Sequence, residues 1–166
     1  MPWALLRLAV AAALLPIPIG VGPRYHPAPG AHGACLSAPL EAGRRVHVEL
    51  FAAGRVVIVP AAIGLRGARL RRGRVTAARC RVRIWTTDPT GVVRLAGATT
   101  LRDLFRVWGR SLRPERLLSF HGRVRLYRNA VRVAGDPRRL VLRDRDELVL
   151  EVGPYVPPHR SYRFPG

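Results

Sequence analysis

The sequence predicts an α+β domain: a mixed β-sheet assembled from hairpins, with one short helix packed on a face. Three observations carry this. Apolar and polar residues alternate in short runs from residue 44 onward, the period changes once to that of a helix near residue 100, and strand alternation then returns through Val152.

The elements follow in order. In RRVHVELFAAGRVVIVPA, Val46, Val48 and Leu50 alternate with His47, Glu49 and Phe51, and Ala53-Gly54 offers a turn into residues 56–59, which reads as a hairpin. AAIGLRGARLRRGRVTAAR has no clear period and reads as a surface loop rich in Gly and Arg. A second hairpin spans CRVRIWTTDPTGVVRL: Cys80, Val82 and Ile84 point one way, Arg81, Arg83 and Trp85 the other, residues 88–91 turn, and Val92, Val93 and Leu95 return. Thr99 and Thr100 then offer N-caps, with Asp103 placed to complete a capping box. Leu101, Leu104, Phe105, Trp108 and Leu112 fall at helical spacing, and Gly109 ends or loosens the helix. Phe105 and Trp108 are the first candidates for the core.

Beyond the helix, Val124 and Leu126 lie opposite Arg125 and Tyr127, a turn falls near Asn129-Ala130, and Val131 and Val133 resume. After Asp136-Pro137, the last strand sets Leu148, Leu150 and Val152 against Glu147, Val149 and Glu151. Two hairpins, one helix, a third hairpin and a final strand give an order like that of the β-grasp, an analogy of order that carries no function.

Outside this region the composition changes. Residues 1–22 have a short n-region ending at Arg7 and a charge-free apolar run, which reads as a signal peptide, with an uncleaved N-terminal anchor as the alternative. Residues 23–34 are Pro/Gly/Ala-rich and read as a disordered linker in which His26 and His32 are solvated. The domain proper is 35–153, and 154–166 is an extended Pro/aromatic tail, packed along the domain or free. A secreted or cell-envelope, extracytoplasmic location follows, and there Cys35 and Cys80 are candidates for one disulfide, worth about 4 kcal/mol by chain entropy.

The chain carries 29 basic residues against 10 acidic ones, a formal charge of +19, and every basic residue is Arg. This charge has two readings. An Arg-rich, Lys-free composition with abundant Ala, Gly, Pro and Val is what a GC-rich coding bias produces; the same charge also attracts polyanions. In the second reading Arg81, Arg83, Arg94, Arg123 and Arg125 form a basic sheet face, and the partner is an anionic envelope polymer or lipid in preference to nucleic acid. Enzyme classes find little support. The chain has no nucleophile motif, phosphate loop or dinucleotide fingerprint, and Ser119 and His121 on a predicted turn lack a third orienting group. Asp144, Asp146 and Glu147 read as charge balance in an Arg-rich turn. Two cysteines do not make a zinc site, and no cofactor is expected.

Several segments together carry a resemblance: HVELFAAG followed by VPAAIGL, residues 80–95, TTLRDLFRVWGRSL, DPRRLVLRDRDELVLEVGP and the ending PPHRSYRFPG. In order and spacing they resemble an uncharacterised family of bacterial, actinobacterial-type secreted or membrane-anchored proteins. Its first strand carries alternating His, and its hairpin reads Cys, three residues, Leu-His-Thr-His-Asp, two residues, Gly-Ile-Ile-His. Cys80, Thr86, Asp88 and Gly91 agree with this pattern, and Ile84, Val92 and Val93 agree in type. Trp85, Thr87 and Arg94 stand where the resemblance implies His, as does Arg145 further on; His47 alone remains of the first-strand run, with Gly43 and Arg45 where it implies further His. The resemblance therefore implies a histidine-depleted member with a degenerate site at His47, Trp85, Thr87, Asp88 and Arg94. Imidazoles on adjacent strands could share copper or zinc, whereas Trp, Thr and Arg cannot, so the implied metal site is weakened or lost. His47 then reads as a half-exposed strand residue and Asp88 as a turn residue bonding local backbone. The expected function is a non-catalytic binding or structural module, with polyanion binding and metal binding as alternatives.

Overall fold

The structure, a computed structural model, describes residues 25–27 and 33–166. The predicted leader, residues 1–22, lies outside the described residues.

Strand β1 (Arg44–Ala52) turns through Ala53 and Gly54, both at positive φ, into β2 (Arg55–Val57). There follow β3 (Leu65–Arg66), β4 (Arg69–Arg71), β5 (Arg74–Ala77), β6 (Cys80–Arg81), β7 (Ile84–Trp85) and β8 (Val92–Leu95). Helix α1 (Leu101–Trp108) comes next, then β9 (Leu112–Arg113), β10 (Arg116–Leu117) and β11 (Phe120–His121). The chain finishes with β12 (Arg125–Arg128), β13 (Val131–Val133) and β14 (Glu147–Val152).

One seven-stranded sheet organises the domain, in the order β13-β12-β14-β1-β8-β7 with β2 also on β1. At its centre the first and last strands, β1 and β14, run parallel, with His47 opposite Glu147 and Leu50 opposite Leu150. All other pairings in this sheet are antiparallel. The free edge of β1 is divided: β8 takes Arg44 to His47, β2 takes Leu50 to Ala52, and Val48 N–H donates to the Gly91 carbonyl between them at 2.9 Å. A central parallel pair with a hairpin on each side and a helix between them is the α+β, β-grasp-like order predicted from the sequence.

Alternation along β1 and β14 gives the sheet two unlike faces. Val46, Val48, Leu50 and Ala52 join Leu148, Leu150 and Val152 in the core, against Leu101, Leu104, Phe105 and Trp108 of α1. The helix forms where predicted because its ends are satisfied: Thr100 and Asp103 make the capping box, and Gly109 at φ 73° closes the last turn. Trp108 is fully buried, and its indole N–H donates to the Tyr25 carbonyl at 2.8 Å. Tyr25 is itself buried, so the linker assignment fails at residues 25–27: average composition outweighed one aromatic that the core could use.

Three further expectations are corrected. The predicted loop at residues 61–79 contains β3 and the β4–β5 hairpin, whose two-residue turn has Arg72 at φ 50° and Gly73 at φ 76°. The first strand of the second hairpin is broken, since β6 pairs with β3 and with Leu36 and only β7 returns to β8. Leu112 belongs to β9 and not to the helix, because Gly109 has already stopped it. Cys35 and Cys80 form the predicted disulfide, with Cα atoms 5.5 Å apart, a pairing that persists in an oxidising compartment outside the reducing cytosol. Among the described residues no helix is long and apolar enough to cross a membrane.

Candidate functional site

The second face of the sheet is polar and is covered by the C-terminal tail. It carries His47, Glu49 and Phe51 from β1, Glu147 and Glu151 from β14, and Arg125 from β12, all set by the same alternation that sends their neighbours into the core.

His47 lies at the centre. Far from half-exposed, it is only 5% exposed, because its ring is stacked under Tyr162 at a centroid distance of 3.7 Å and an interplanar angle of 10°. Nδ1 faces both Glu147 carboxylate oxygens at 2.8 and 3.1 Å, and Nε2 faces the Thr90 carbonyl at 2.8 Å. Both acceptors are pure acceptors, so this geometry is satisfied by an imidazolium that donates from each nitrogen. Burial opposes that charge, but the Glu147 hydrogen bond and charge, the Thr90 carbonyl and the Glu49 charge outweigh it and hold the pKa above the ordinary 6.5. The loop can approach this closely only at Gly91: with φ +86°, a Cβ there would stand 2.9 Å from His47 Nε2 and 2.7 Å from the Val48 carbonyl oxygen.

Around this pair the remaining acids are similarly engaged. Glu151, buried, accepts from Arg125 Nε at 2.7 Å and from Val156 N–H at 2.9 Å, and the first of these bonds raises the Arg125 pKa against the effect of burial. Glu49 meets His159 Nδ1 at 2.7 Å. Asp146 pairs with Arg128 at 2.9 Å. The tail is thus fastened at Val156, His159 and Tyr162 in succession, and ends with Phe164 buried near the guanidinium groups of Arg45 and Arg145. Between β1, β2, residues 89–91 and the tail lies a cavity of about 370 Å³ whose polar lining includes His47, Glu49 and His159.

Of the implied degenerate site at His47, Trp85, Thr87, Asp88 and Arg94, only His47 lines this cavity. Trp85 is fully buried beneath the Arg81 guanidinium, 3.9 Å from its ring, and donates to the Leu40 carbonyl at 2.8 Å. Arg94, opposite Trp85 in the β7–β8 pairing, is bound to Glu41, and Thr87 is buried with its carbonyl accepting from Val75 N–H. Asp88 bonds Thr90 N–H at 3.1 Å, the local turn contact expected of it, and also pairs with Arg74 at 3.4 Å. These residues tile one end of the sheet and the adjoining loop.

The predicted basic face is likewise dispersed. Arg81 is buried, which lowers its pKa; Arg94 and Arg125 are paired with Glu41 and Glu151; only Arg83 and Arg123 are exposed. Glu49, Glu147, Glu151, His159 and Tyr162 were missed. Strand alternation puts Glu147 and Glu151 on one face, but nothing local announces that β14 lies parallel to β1 with Glu147 beside His47. No family model matches the chain, and neither the curated proteins nor the solved structures contain a match to it.

Proposed function

We propose that the protein is a non-catalytic binding module of the cell envelope, secreted or anchored there, that docks on a phosphate- or carboxylate-bearing polyanion through an Arg-dense surface centred on the β4–β5 hairpin. One observation carries this reading. From residue 51 to residue 87 every charged side chain is Arg, and Arg69, Arg71, Arg72 and Arg74 occupy exposed positions of that hairpin beside Leu70, itself 52% exposed. Positive charge concentrated on the exposed side of this hairpin supplies the counterion-release term that drives polyanion association. Glu147, Glu151 and Asp146 are engaged in pairs of their own, while Asp88 meets Arg74 of the hairpin at 3.4 Å. Those same pairs support a non-catalytic role, since the buried titratable groups already satisfy one another. The disulfide and the resemblance to secreted proteins support an envelope location over a nucleic-acid one.

The test is association with three probes: polyphosphate, phosphatidylglycerol vesicles and duplex DNA, each over a salt series. Binding to the polymer or the vesicles should weaken steeply as salt rises, and replacing Arg69, Arg71, Arg72 and Arg74 together by Ala should lower affinity by at least about tenfold. Absence of association at low salt, or an unchanged affinity in that variant, would refute the reading; preference for DNA would refute the envelope assignment.

A further inference from the structure

The His47 cluster carries an inference of its own. One atom each of His47, Glu49 and Glu147 lie within 4.8 Å of one another, on two adjacent parallel strands whose register makes His47 and Glu147 direct partners. His47 Nδ1 and Glu147 Oε2 stand 2.8 Å apart, and opening that pair by about 0.5 Å would give the ligand-to-ligand edge of a tetrahedral sphere with bonds of about 2.0–2.1 Å. Glu49, partly exposed, is the third corner of this triangle. Its carboxylate already holds His159 Nδ1 at 2.7 Å, so the tail brings a second imidazole to one member of the triad. His47, Glu49 and His159 also line a cavity roomy enough for an ion and its water, with Glu147 beside His47.

The surroundings of His47 support the same assignment independently. A ligating histidine typically donates its other ring N–H to a backbone carbonyl or carboxylate, which sets the tautomer and aims the ligating nitrogen. Here Nε2 faces the Thr90 carbonyl at 2.8 Å, Gly91 permits that approach, and the Tyr162 stack fixes the plane of the ring. This arrangement leaves Nδ1 as the nitrogen directed at the two carboxylates.

We propose that His47, Glu49 and Glu147, with His159 as fourth donor, form a binding site for a borderline divalent transition-metal ion of the zinc class. The cation takes the place of the proton that Nδ1 shares with Glu147, and that proton leaves to solvent. Mixed imidazole and carboxylate donors suit zinc or cobalt; calcium and magnesium require an oxygen set, and copper(I) prefers sulfur. Trp85, Thr87 and Arg94 take no part.

The experiment uses the full chain stripped with a chelator, titrated with Zn²⁺ by calorimetry and with Co²⁺ by visible absorption. One equivalent should bind, with the intense visible bands of low-symmetry cobalt, while Mg²⁺ at the same concentration gives no heat. Glu49→Gln and His159→Ala should each weaken zinc binding by at least about tenfold. Because neither residue is in the core, their metal-free circular dichroism and melting should match the parent. His47→Ala should abolish binding, and its metal-free melting curve reports whether it folds. The proposal is overturned if Zn²⁺ fails to bind, or if it binds with an affinity that Glu49→Gln and His159→Ala both leave unchanged. Polyanion binding is measured on the same variants and should not move, so this site and the Arg hairpin stand or fall separately.

Discussion

The β1–β14 seam and the β4–β5 hairpin show what one Arg-rich chain does with charge in two settings. At the seam, charged groups are buried and each faces a partner: His47 meets Glu147, Arg125 meets Glu151, and the tail closes over them. In the hairpin, Arg69, Arg71, Arg72 and Arg74 stand exposed, and Asp88 lies 3.4 Å from Arg74. A net charge of +19 therefore describes neither region. Charge at the seam is a matter of stability and chemistry, whereas charge on the hairpin is a matter of association.

The largest effect expected from this contrast is at Glu147. Truncation to Ala leaves the His47 imidazolium buried without its partner and should cost about 3–5 kcal/mol of unfolding free energy. Urea denaturation of Glu147→Ala beside Arg72→Ala checks it; equal losses in the two variants would erase the distinction between the regions.

Next comes the disulfide. β6, which pairs with β3 below the hairpin, is tied by Cys80 to Cys35. Replacing both cysteines by Ser should cost about 2–4 kcal/mol. Hydrogen exchange should show the loss of protection concentrated in residues 35–36, 65–66 and 80–81, with the seam protected as before. A uniform loss across both regions would mean that the two are one cooperative unit.

A pH effect sharpens the seam further. The folded pKa of His47 is raised above 6.5, so the stabilisation from its charged form is fully present below that pH and is lost as pH rises through the folded value. In chelator-treated protein the urea midpoint should therefore fall as the pH is raised above 6.5. Glu147→Gln, which keeps the shape and removes the charge, should flatten that slope. A wild-type slope that survives in Glu147→Gln would assign the dependence to another group.

The two regions also differ in how far they could be read from sequence. Period and capping were sufficient for β1, α1, the β12–β13 turn at Asn129-Ala130 and β14, because these rest on local alternation and on residues such as Thr100, Asp103 and Gly109. The β4–β5 hairpin was read as a loop because its signal is the two-residue turn at Arg72-Gly73, and an Arg at positive φ is uncommon. Residues of the seam were visible singly: His47 and Glu49 alternate on one strand, Glu147 and Glu151 on another. What joins them is the parallel register of strands a hundred residues apart, a long-range fact with no local signature. His159 and Tyr162 were harder still, since a Pro-rich tail without periodic structure gives no face to predict. Trp85 was assigned to the polar face by alternation, and it is on that face; besides Arg81 of the same run, it is covered by residues 40–43, a segment the alternation does not describe.

The smallest effect expected on stability belongs to the hairpin, and it separates the two uses of charge most cleanly. Arg71 and Arg72 are exposed and sit at and beside the turn, so Arg71→Ala should change unfolding free energy by no more than about 0.5 kcal/mol. Its effect should appear in binding instead: each Arg removed from a polyanion contact should reduce the slope of log affinity against log salt by about one. Arg72→Ala provides the stricter comparison, because Arg72 also adopts φ 50°, a conformation that Ala tolerates no better. If Arg71→Ala destabilised the fold while leaving the salt slope intact, the hairpin would be a packed structural element, and its Arg residues a property of composition alone.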